Sequence, residues 1–568
     1  MNECDKIIFL KNSIIKKILF KRGLTGEEES LKFLFPEYRD LYNPFLLKDS
    51  MKSAAKIIEA IDSQKKILIF GDKDADGLSG SAVLYKALKS LGADVQCKIS
   101  EAEDDYDINE KIFALADKIK ASLIITVDCG ISACEVAANL KKLKIDFIIT
   151  DHHEPKENLP DAYAIVNPKR IDCKYPDKYL SGSAVAFKMS ESVFLLKTKM
   201  FFSEMETDLF LPESFYEDLR FLFFLEELLP IAAIGVIADV MPLKNENRTI
   251  SRLAYKIIKK TNPVFIESLM NINNLSEING DFFGFTLGPI LNSCRRMKAG
   301  DAGFRWLVEK DISQIRKITL ELIELNNKRK MKADEMYKTV IKDAENQVST
   351  ENRKIIILGY DNFDHGVTGL VANKIVEHFK MPVIIFIIEE GIAGGSGRCP
   401  DGINLFEIIE LHKKYFIKYG GHKSSVGLSM NSADIESFKN EINIFLLKNQ
   451  RYLQKTKDEK VTEDINFKDI DFNLLDSLEL FEPFGKENDR PEFQSELPVK
   501  RAYPMGGDNK HLNLYLKSDL PARAIAWNKG VEADKINSFN SIRAKFSIKS
   551  NFYAGKKSIC LQMNEIMY

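Results

Sequence analysis

Several short apolar runs along the chain lack polar alternation and end on an acid. Ile67 to Phe70 is the first, followed at once by Asp72, Asp74 and Asp76 in GDKDADG. Such a run is expected of a strand buried on both faces of a parallel sheet. Leu123 to Val127 ends at Asp128, Phe147 to Thr150 runs into Asp151, His152 and His153, and Ile231 to Ala238 leads, as a fourth segment of the same kind, to Asp239. From Met51 to about Lys188 these runs alternate with helical patterns, which predicts a doubly wound parallel sheet. Asp311 to Asp343 carries apolar residues at Ile315, Ile318, Leu322, Leu325, Met336 and Val340, the stripe of a long connecting helix. Runs at 355–358 and 383–386 predict strands of a second α/β domain that ends near Lys448. From roughly Asp464, segments such as HLNLYL, RAIAW and KFSIKS, with few helix signals, predict a small β-barrel.

The flanking stretches are helical in pattern. Residues 1–45 read as short amphipathic helices, Thr25 capping one whose first turn holds Glu27, Glu28 and Glu29. Ser190 to Leu229 reads as a helical insertion, and the chain continues helical from Asp239 to about Gly300. The expected division is a helical segment 1–45, a catalytic α/β domain 46–305 with its insertion about 190–229, a connecting helix 306–350, a second α/β domain 351–450 and a barrel 455–568.

Composition narrows the setting. With 568 residues, 45% hydrophobic and 29% charged, the chain is long enough for three or four domains. Its net charge of −2 means that any nucleic-acid binding rests on local basic surface. Such a surface is suggested at the end, where 497–568 hold twelve Lys or Arg against five acids, while 458–496 hold thirteen acids against four bases. Tyr515, Trp527, Phe546, Phe552 and Tyr553 interleave with those bases, a pattern suited to a groove that follows phosphates and stacks bases, though core aromatics under a charged surface would read the same. Eight scattered Cys with no CxxC pair argue for a reducing, cytoplasmic compartment and against structural zinc. The opening residues are interrupted by charge, unlike a secretory signal. Phe221 to Met241, apolar but holding Glu226, Glu227, Pro230 and Asp239, reads as core and not as a membrane span.

The acids carry the chemistry. An extended backbone would aim Asp72, Asp74 and Asp76 to one side just past the strand, with Gly77 letting the chain turn. Acids so crowded repel unless a cation sits among them, and this sheet edge is where open α/β sheets bind ligands. A solvated acidic turn uses the same residue types. The recurrence favours metal, since four apolar segments each deliver carboxylate or imidazole, the donors two hard divalent cations require.

GDKDADG, VDCG, DHH and IADVMPL, in that order, resemble the four signature motifs of the DHH phosphoesterase superfamily. NPFLLKDSM, IVNPKR, LSGSAVAFK, NENR, SGRCPDGINL, GGHKSSVGLSM and FEPFGKENDRPEF narrow the resemblance to the RecJ family, single-strand-specific exonucleases that degrade DNA from the 5′ end. The resemblance implies an oligonucleotide-binding fold for the barrel, single-stranded DNA as substrate, a role in DNA repair and recombination, a single-strand-binding protein and a helicase as partners, and no membrane. It implies two cations, Mn²⁺ or Mg²⁺. One would be held by Asp74 and Asp128 with help from Asp72, the other by Asp76, Asp128, His152 and Asp239, with Asp128 bridging. His153 would donate to the phosphate, and Asp151 would orient a His. Ser396, Gly397 and Arg398, then Gly420, Gly421 and His422, would bind the terminal phosphate and backbone, and Arg296 would neutralise charge on the phosphoryl group.

Departures from the family pattern spare the expected ligands. Lys73 stands where relatives carry Tyr, ISEAEDDYDIN brings acids where a basic residue is usual, NSCRR replaces Asn-Ala-Ala-Gly-Arg, and Phe363 to Gly366 replace Trp-His-Pro-Gly. Two other activities suit the same core. One is a phosphodiesterase of short oligonucleotides or cyclic dinucleotides, or a pyrophosphatase; the other is a DNA-binding scaffold without catalysis.

Overall fold

The computed structural model describes residues 12–101, 108–201, 205–275, 277–350, 353–453, 462–520, 523–553 and 556–568. Most of the acidic loop after Ile99 lies outside the described residues. The chain forms two compact units, one of 1–292, 300–320 and 460–568, the other of 293–299 and 321–459.

In the first unit, α1 (Ser13–Lys21) and α2 (Glu27–Leu34) precede α3 (Ser50–Asp62). Next come β1 (Lys66–Gly71), α4 (Ala75–Ser90), β2 (Val95–Ile99), α5 (Lys111–Ile119), β3 (Ala121–Val127), α6 (Cys134–Lys142), β4 (Asp146–Thr150) and β5 (Ala164–Val166). The sheet has order β2-β1-β3-β4-β5 with every pairing parallel. Its apolar runs are buried, as continuous runs covered on both faces must be. Because β2 and β3 lie on opposite sides of β1, the order reverses there, and the carboxyl ends of β1 and β3 flank the crevice where such sheets bind ligands.

Beyond the sheet lie helices α7 (Gly182–Lys197), α8 (Leu219–Ala238), α9 (Asn245–Thr261) and α10 (Val264–Ile272). A π-helical turn, Phe283–Leu287, then leads into α11 (Gly288–Arg296), which is succeeded by α12 (Ala302–Val308). Two sequence expectations are corrected here. Ile231 to Ala238 is no strand but the last two turns of α8, Asp239 being its C-cap, because a run apolar all round fits a buried helix as well as a buried strand. Thr25 caps nothing: the N-cap of α2 is Gly26, with no side-chain bond. Helix α8 is long and apolar enough to cross a membrane, yet most of it is buried against α4, α7 and α9.

The C-terminal part of this unit contains β11 (Thr462–Asp464), β12 (Glu492–Met505), β13 (His511–Leu516), β14 (Arg523–Ala526), β15 (Ser541–Tyr553) and β16 (Lys556–Met567). The order β12-β13-β14-β16-β15 closes on itself through β12–β15, a five-stranded barrel with β11 added alongside β12. Its core is shared with the start of the chain, since Ile15, Ile18, Leu19, Phe33 and Leu34 lie in one apolar cluster with Leu474, Leu478, Phe481 and the barrel interior.

Arg248 of α9 locks this junction. Buried to 1% exposure, it donates to the carbonyls of Phe33, Leu480, Phe481 and Pro483.

The second unit takes up α13 (Ile312–Thr350) from Glu321 onward. Its sheet comprises β6 (Ile356–Tyr360), β7 (Val383–Glu389), β8 (Ile392–Arg398), β9 (Phe416–His422) and β10 (Ser425–Asn431), in order β6-β7-β8-β10-β9. Helix α14 (His365–Phe379) covers one face with Met336 and Val340 of α13.

Replacing Arg248 by Met keeps the apolar stem but strands four carbonyls. Hydrogen bonds to a charged group contribute about 1.5–3 kcal/mol each, and water recovers part, so the substitution is expected to cost about 3–5 kcal/mol. The check is the midpoint of chemical denaturation of the first unit against the parent chain.

Candidate metal centre

The acids reach one place by different local geometries, not by a single extended strand. Asp72 N donates to Val127 O, extending the β1–β3 ladder by one step. Asp74 is the N-cap of α4, its Oδ1 accepting from Asp76 N and Gly77 N at 3.0 and 3.1 Å, and Asp76 sits in the first helical turn. The alternation expected of an extended backbone is therefore corrected. An Asp at the cap and another two residues on still reach one cluster, Asp74 in the group with Asp72 and Asp128 and Asp76 in the group with His152 and Asp239. Gly77 is helical and makes no turn; a Cβ there would lie 2.4 Å from Asp72 O. Asp128 leaves β3 with φ 63°, a left-handed backbone that L-residues adopt at a cost.

Donor atoms of Asp76, His152 and Asp239 lie within 4.8 Å of one another, as do those of Asp72, Asp74 and Asp128, and those of Asp128, His152 and His153. His152 Nε2 is 3.1 Å from Asp128 Oδ1, 3.6 Å from Asp239 Oδ2 and 3.9 Å from Asp76 Oδ2. The structure thus brings together Asp72, Asp74, Asp76, Asp128, His152, His153 and Asp239. Asp128 and His152 belong to more than one group.

Burial and mutual repulsion define the electrostatics. Burial, then the charges of Asp76 and Asp74, push the Asp128 carboxyl well above its ordinary value and that of Asp239 up to about 8. Burial lowers His152, favouring the neutral imidazole a metal requires. His153 differs. Burial opposes its charge, but the Nδ1 bond to Asp151 Oδ1 at 2.8 Å and the Asp151 charge win, raising it to about 9. Asp151 falls to about 2 despite burial, held by His153 and by the charges of both imidazoles. It also accepts from Ile131 N and His152 N, so the His that Asp151 orients is His153.

These residues fit a pair of divalent cations. Asp128 Oδ1 is buried without a hydrogen bond, His152 Nε2 faces three carboxylates, and oxygen donors outnumber nitrogen. Asp74 with Asp128 and Asp72 would hold one cation, and Asp76, Asp128, His152 and Asp239 the other.

Supports that the sequence reading missed surround the cluster. Both oxygens of Asp76 accept from the N-terminus of α7, Gly182 N to Oδ2 at 2.7 Å and Ser183 N to Oδ1 at 3.0 Å. That helix end carries positive partial charge toward the acids. A Cβ on Gly182 would meet Asp128 Cβ at 2.5 Å, and one on Gly235 of α8 would meet Asp76 Oδ1 at 2.2 Å and Ser183 Oγ at 2.1 Å. Both glycines stand inside motifs visible in the sequence, LSGSAVAFK and IAAIGVIADV, but only the three-dimensional approach explains them. Asn292 accepts from Ala75 N, the first residue of α4, at 3.1 Å.

The phosphate-binding candidates lie in the second unit. Cross-strand register aligns Ser396 with Gly427 and Gly420, and Arg398 with Ser425 and His422. The two glycines are therefore strand residues, not a tight turn. Arg398 lies over Gly369, where a Cβ would be 2.7 Å from Nη2, and among the described residues no carboxylate pairs with it. Arg296 donates to Gly366 O at 2.7 Å.

On the barrel, Tyr503 stacks on Tyr515 with ring centroids 5.6 Å apart, Trp527 is 52% exposed beside His511, and Arg523 is held by Asn513. Phe546 is fully buried against Phe493 in the interior, so it is a core residue and not part of a stacking face. Phe552 is half-buried, and the Tyr553 side chain lies outside the described residues.

Residues 66–211 match the DHH family, N-terminal domain, 352–448 the DHHA1 domain, and 462–565 the RecJ OB domain. The parallel sheet and its edge of carboxylates and paired His thus define a DHH-type phosphoesterase. The chain is 31% identical over 447 residues to the single-stranded-DNA-specific exonuclease RecJ of Salmonella typhimurium, covering 75% of this chain and 73% of that protein. It is 31% identical over 524 residues to the Bacillus subtilis RecJ, covering 91% of this chain and 63% of that longer relative. In fold it is similar to the crystal structure of RecJ in complex with Mn²⁺ from Thermus thermophilus, with TM-score 0.76, 24% identity, and coverage of 97% of this chain and 75% of that one. The chain belongs to the RecJ family.

Gly235→Ala is expected to displace Asp76 and to cut Mn²⁺ affinity at least about tenfold, at a stability cost of about 1–3 kcal/mol; calorimetric titration and a thermal scan read the two effects. A second expectation concerns protons. Carboxyls raised as Asp128 and Asp239 are stabilise the metal-free fold below their unfolded value near 3.8, and that contribution is lost as pH rises through about 8 for Asp239. Cation and proton compete for these oxygens, so Mn²⁺ binding at pH 7 releases protons and tightens as pH climbs toward 8. Titrations in buffers of different ionisation enthalpy measure the release.

Proposed function

We propose that this chain is a metal-dependent exonuclease that hydrolyses single-stranded DNA from the 5′ end to mononucleotides. The observation that carries the reading is the shared cluster, in which Asp128, whose buried Oδ1 accepts no hydrogen bond, belongs to both the Asp72–Asp74 and the His152 groups. Divalent cations held there, Mn²⁺ or Mg²⁺, would supply the Lewis-acid charge that acidifies an attacking water and screens the phosphate. Asp72, Asp74, Asp76, Asp128, His152 and Asp239 are the proposed ligands.

The remaining steps belong to the protein's own groups. His153, kept protonated by Asp151, would donate a hydrogen bond from its other ring N–H to a phosphate oxygen as negative charge develops. Arg398 can fork two donors onto a terminal phosphate, while the aligned Ser396, Gly420 and Gly421 leave backbone open to close approach, with His422 at the row's end. Arg296 is proposed to offset phosphoryl charge. The barrel, with Tyr503, Tyr515 and Trp527 beside Arg523, would bind the strand farther along.

The same reading divides the chain into 1–45, 46–305, 306–350, 351–450 and 455–568. It implies service in repair and recombination in the cytoplasm, with a helicase and a single-strand-binding protein as partners.

The test uses a 5′-phosphorylated single strand, its duplex and a dinucleotide with Mn²⁺ or Mg²⁺. Mononucleotides released from the single strand alone are expected, and Asp128→Asn is expected to lower kcat by about a thousandfold or more. Preference for the dinucleotide would favour a short-oligomer phosphodiesterase, and binding without hydrolysis a scaffold.

A further inference from the structure

We infer that Asn292 is a catalytic residue, its amide oxygen fixing the start of α4 and its amide nitrogen donating to a non-bridging oxygen of the scissile phosphate. The inference rests on the exonuclease reading and assigns a donor that the ligand set lacks.

The placement comes from the π-helical turn before α11. Barrel and catalytic layers grip the segment ahead of it: Asp281 accepts from Arg490 at 2.9 Å and Lys549 at 2.8 Å, and Glu482 accepts from Gly280 N at 3.0 Å. The π turn inserts an extra residue, which rotates α11 about its axis. Gly288 then meets the end of α8, where a Cβ would lie 3.3 Å from Ala238 Cβ and 3.7 Å from its Cα. One turn later, on the same face, Asn292 meets the start of α4 at Ala75 N. That face therefore crosses from the residue before Asp239 to the residue after Asp74. Those two acids belong to the two different ligand groups, so the face touches the carriers of both.

The amide orientation is dictated by its partner. Ala75 N–H can only donate, so the atom 3.1 Å from it is Oδ1, which leaves Nδ2 as the other end of the amide. Asn292 is half-buried, and among the described residues its amide nitrogen has no partner. An oriented NH₂ group at the edge of a cluster of carboxylates is a neutral donor that binds a phosphate oxygen without competing for cations, as a Lys or Arg in that position would.

Two substitutions separate the two ends of the amide. N292D keeps an oxygen for Ala75 N–H and loses the donor; N292A loses both. With the full chain, kcat on the 5′-phosphorylated single strand is expected to fall about 100-fold in both. Calorimetric Mn²⁺ affinity is expected to be unweakened in N292D and about fivefold or more weaker in N292A, because only the latter frees the α4 terminus that carries Asp74 and Asp76. KM is expected to stay within about threefold in N292D, and its calorimetric Mn²⁺ stoichiometry to match that of the parent, which partial unfolding would lower. N292D with kcat within about threefold of the parent overturns the donor role. N292A with unchanged Mn²⁺ affinity overturns the positioning role. If the parent hydrolyses no single strand in either metal, the exonuclease reading fails instead, and the Mn²⁺ arm alone decides whether Asn292 organises the cluster.

Discussion

The structure depends on keeping five carboxylates in one crevice, three of them shut away from water. Asp72, Asp76 and Asp128 are each no more than 5% exposed, and burial followed by mutual repulsion raises the carboxyls of Asp128 and Asp239. Left alone, such a cluster would open. Backbone groups help to close it: the first N–H groups of α7 on Asp76, the start of α4 on Asp74, the Val127 carbonyl on Asp72 N. Ion pairs would satisfy the acids and exclude a cation, whereas helix ends stabilise them and leave lone pairs available. The unbonded Asp128 Oδ1 is the clearest sign that the arrangement is incomplete without a positive charge.

Close approach imposes a second condition, and it explains why several glycines are where they are. Helices α7 and α8 reach the cluster only because Gly182 and Gly235 present no Cβ to Asp128 and Asp76. The left-handed φ of Asp128 belongs to the same economy of space, since it turns the carboxylate back over the strand end under Gly182.

The parts of this site most readable in the sequence are those that depend on chain-local pattern. Buried parallel strands announce themselves as unbroken apolar runs, so the positions after β1, β3 and β4 could be named, and with them Asp72, Asp128, Asp151, His152 and His153. The fourth run misled, because Ile231 to Ala238 is apolar all round in a helix buried on every side, and periodicity cannot tell that from a central strand. Asp74 and Asp76 were named for the wrong geometry, since a cap and a first turn mimic an extended alternation over so short a span. Phe546 looked like a stacking residue because strand aromatics on the inner and outer faces of a barrel differ only by register. Gly182, Gly235 and Asn292 stand inside visible motifs, but their roles exist only between elements far apart in sequence.

The support that holds α7 in position is itself buried and ionic. Lys188, fully buried in that helix, lies 3.1 Å from Glu246, contacts Glu191 and donates to Tyr42 O, while Tyr175 donates to Glu246. Burial pushes the Glu191 carboxyl up to about 7, so the group is strained even with its cation adjacent. An apolar packing of equal volume would be at least as stable, because the desolvation of such charges can exceed their attraction. An apolar helix, however, could slide or rotate by a fraction of a turn at small cost, and the N–H groups of Gly182 and Ser183 would then miss Asp76. Lys188 lies six residues from Gly182 on the same helix, and its partners outside α7 come from α9 and the segment before α3. The directional network therefore fixes the register of α7 against the rest of the first unit, and through it the position of a carboxylate at the cluster.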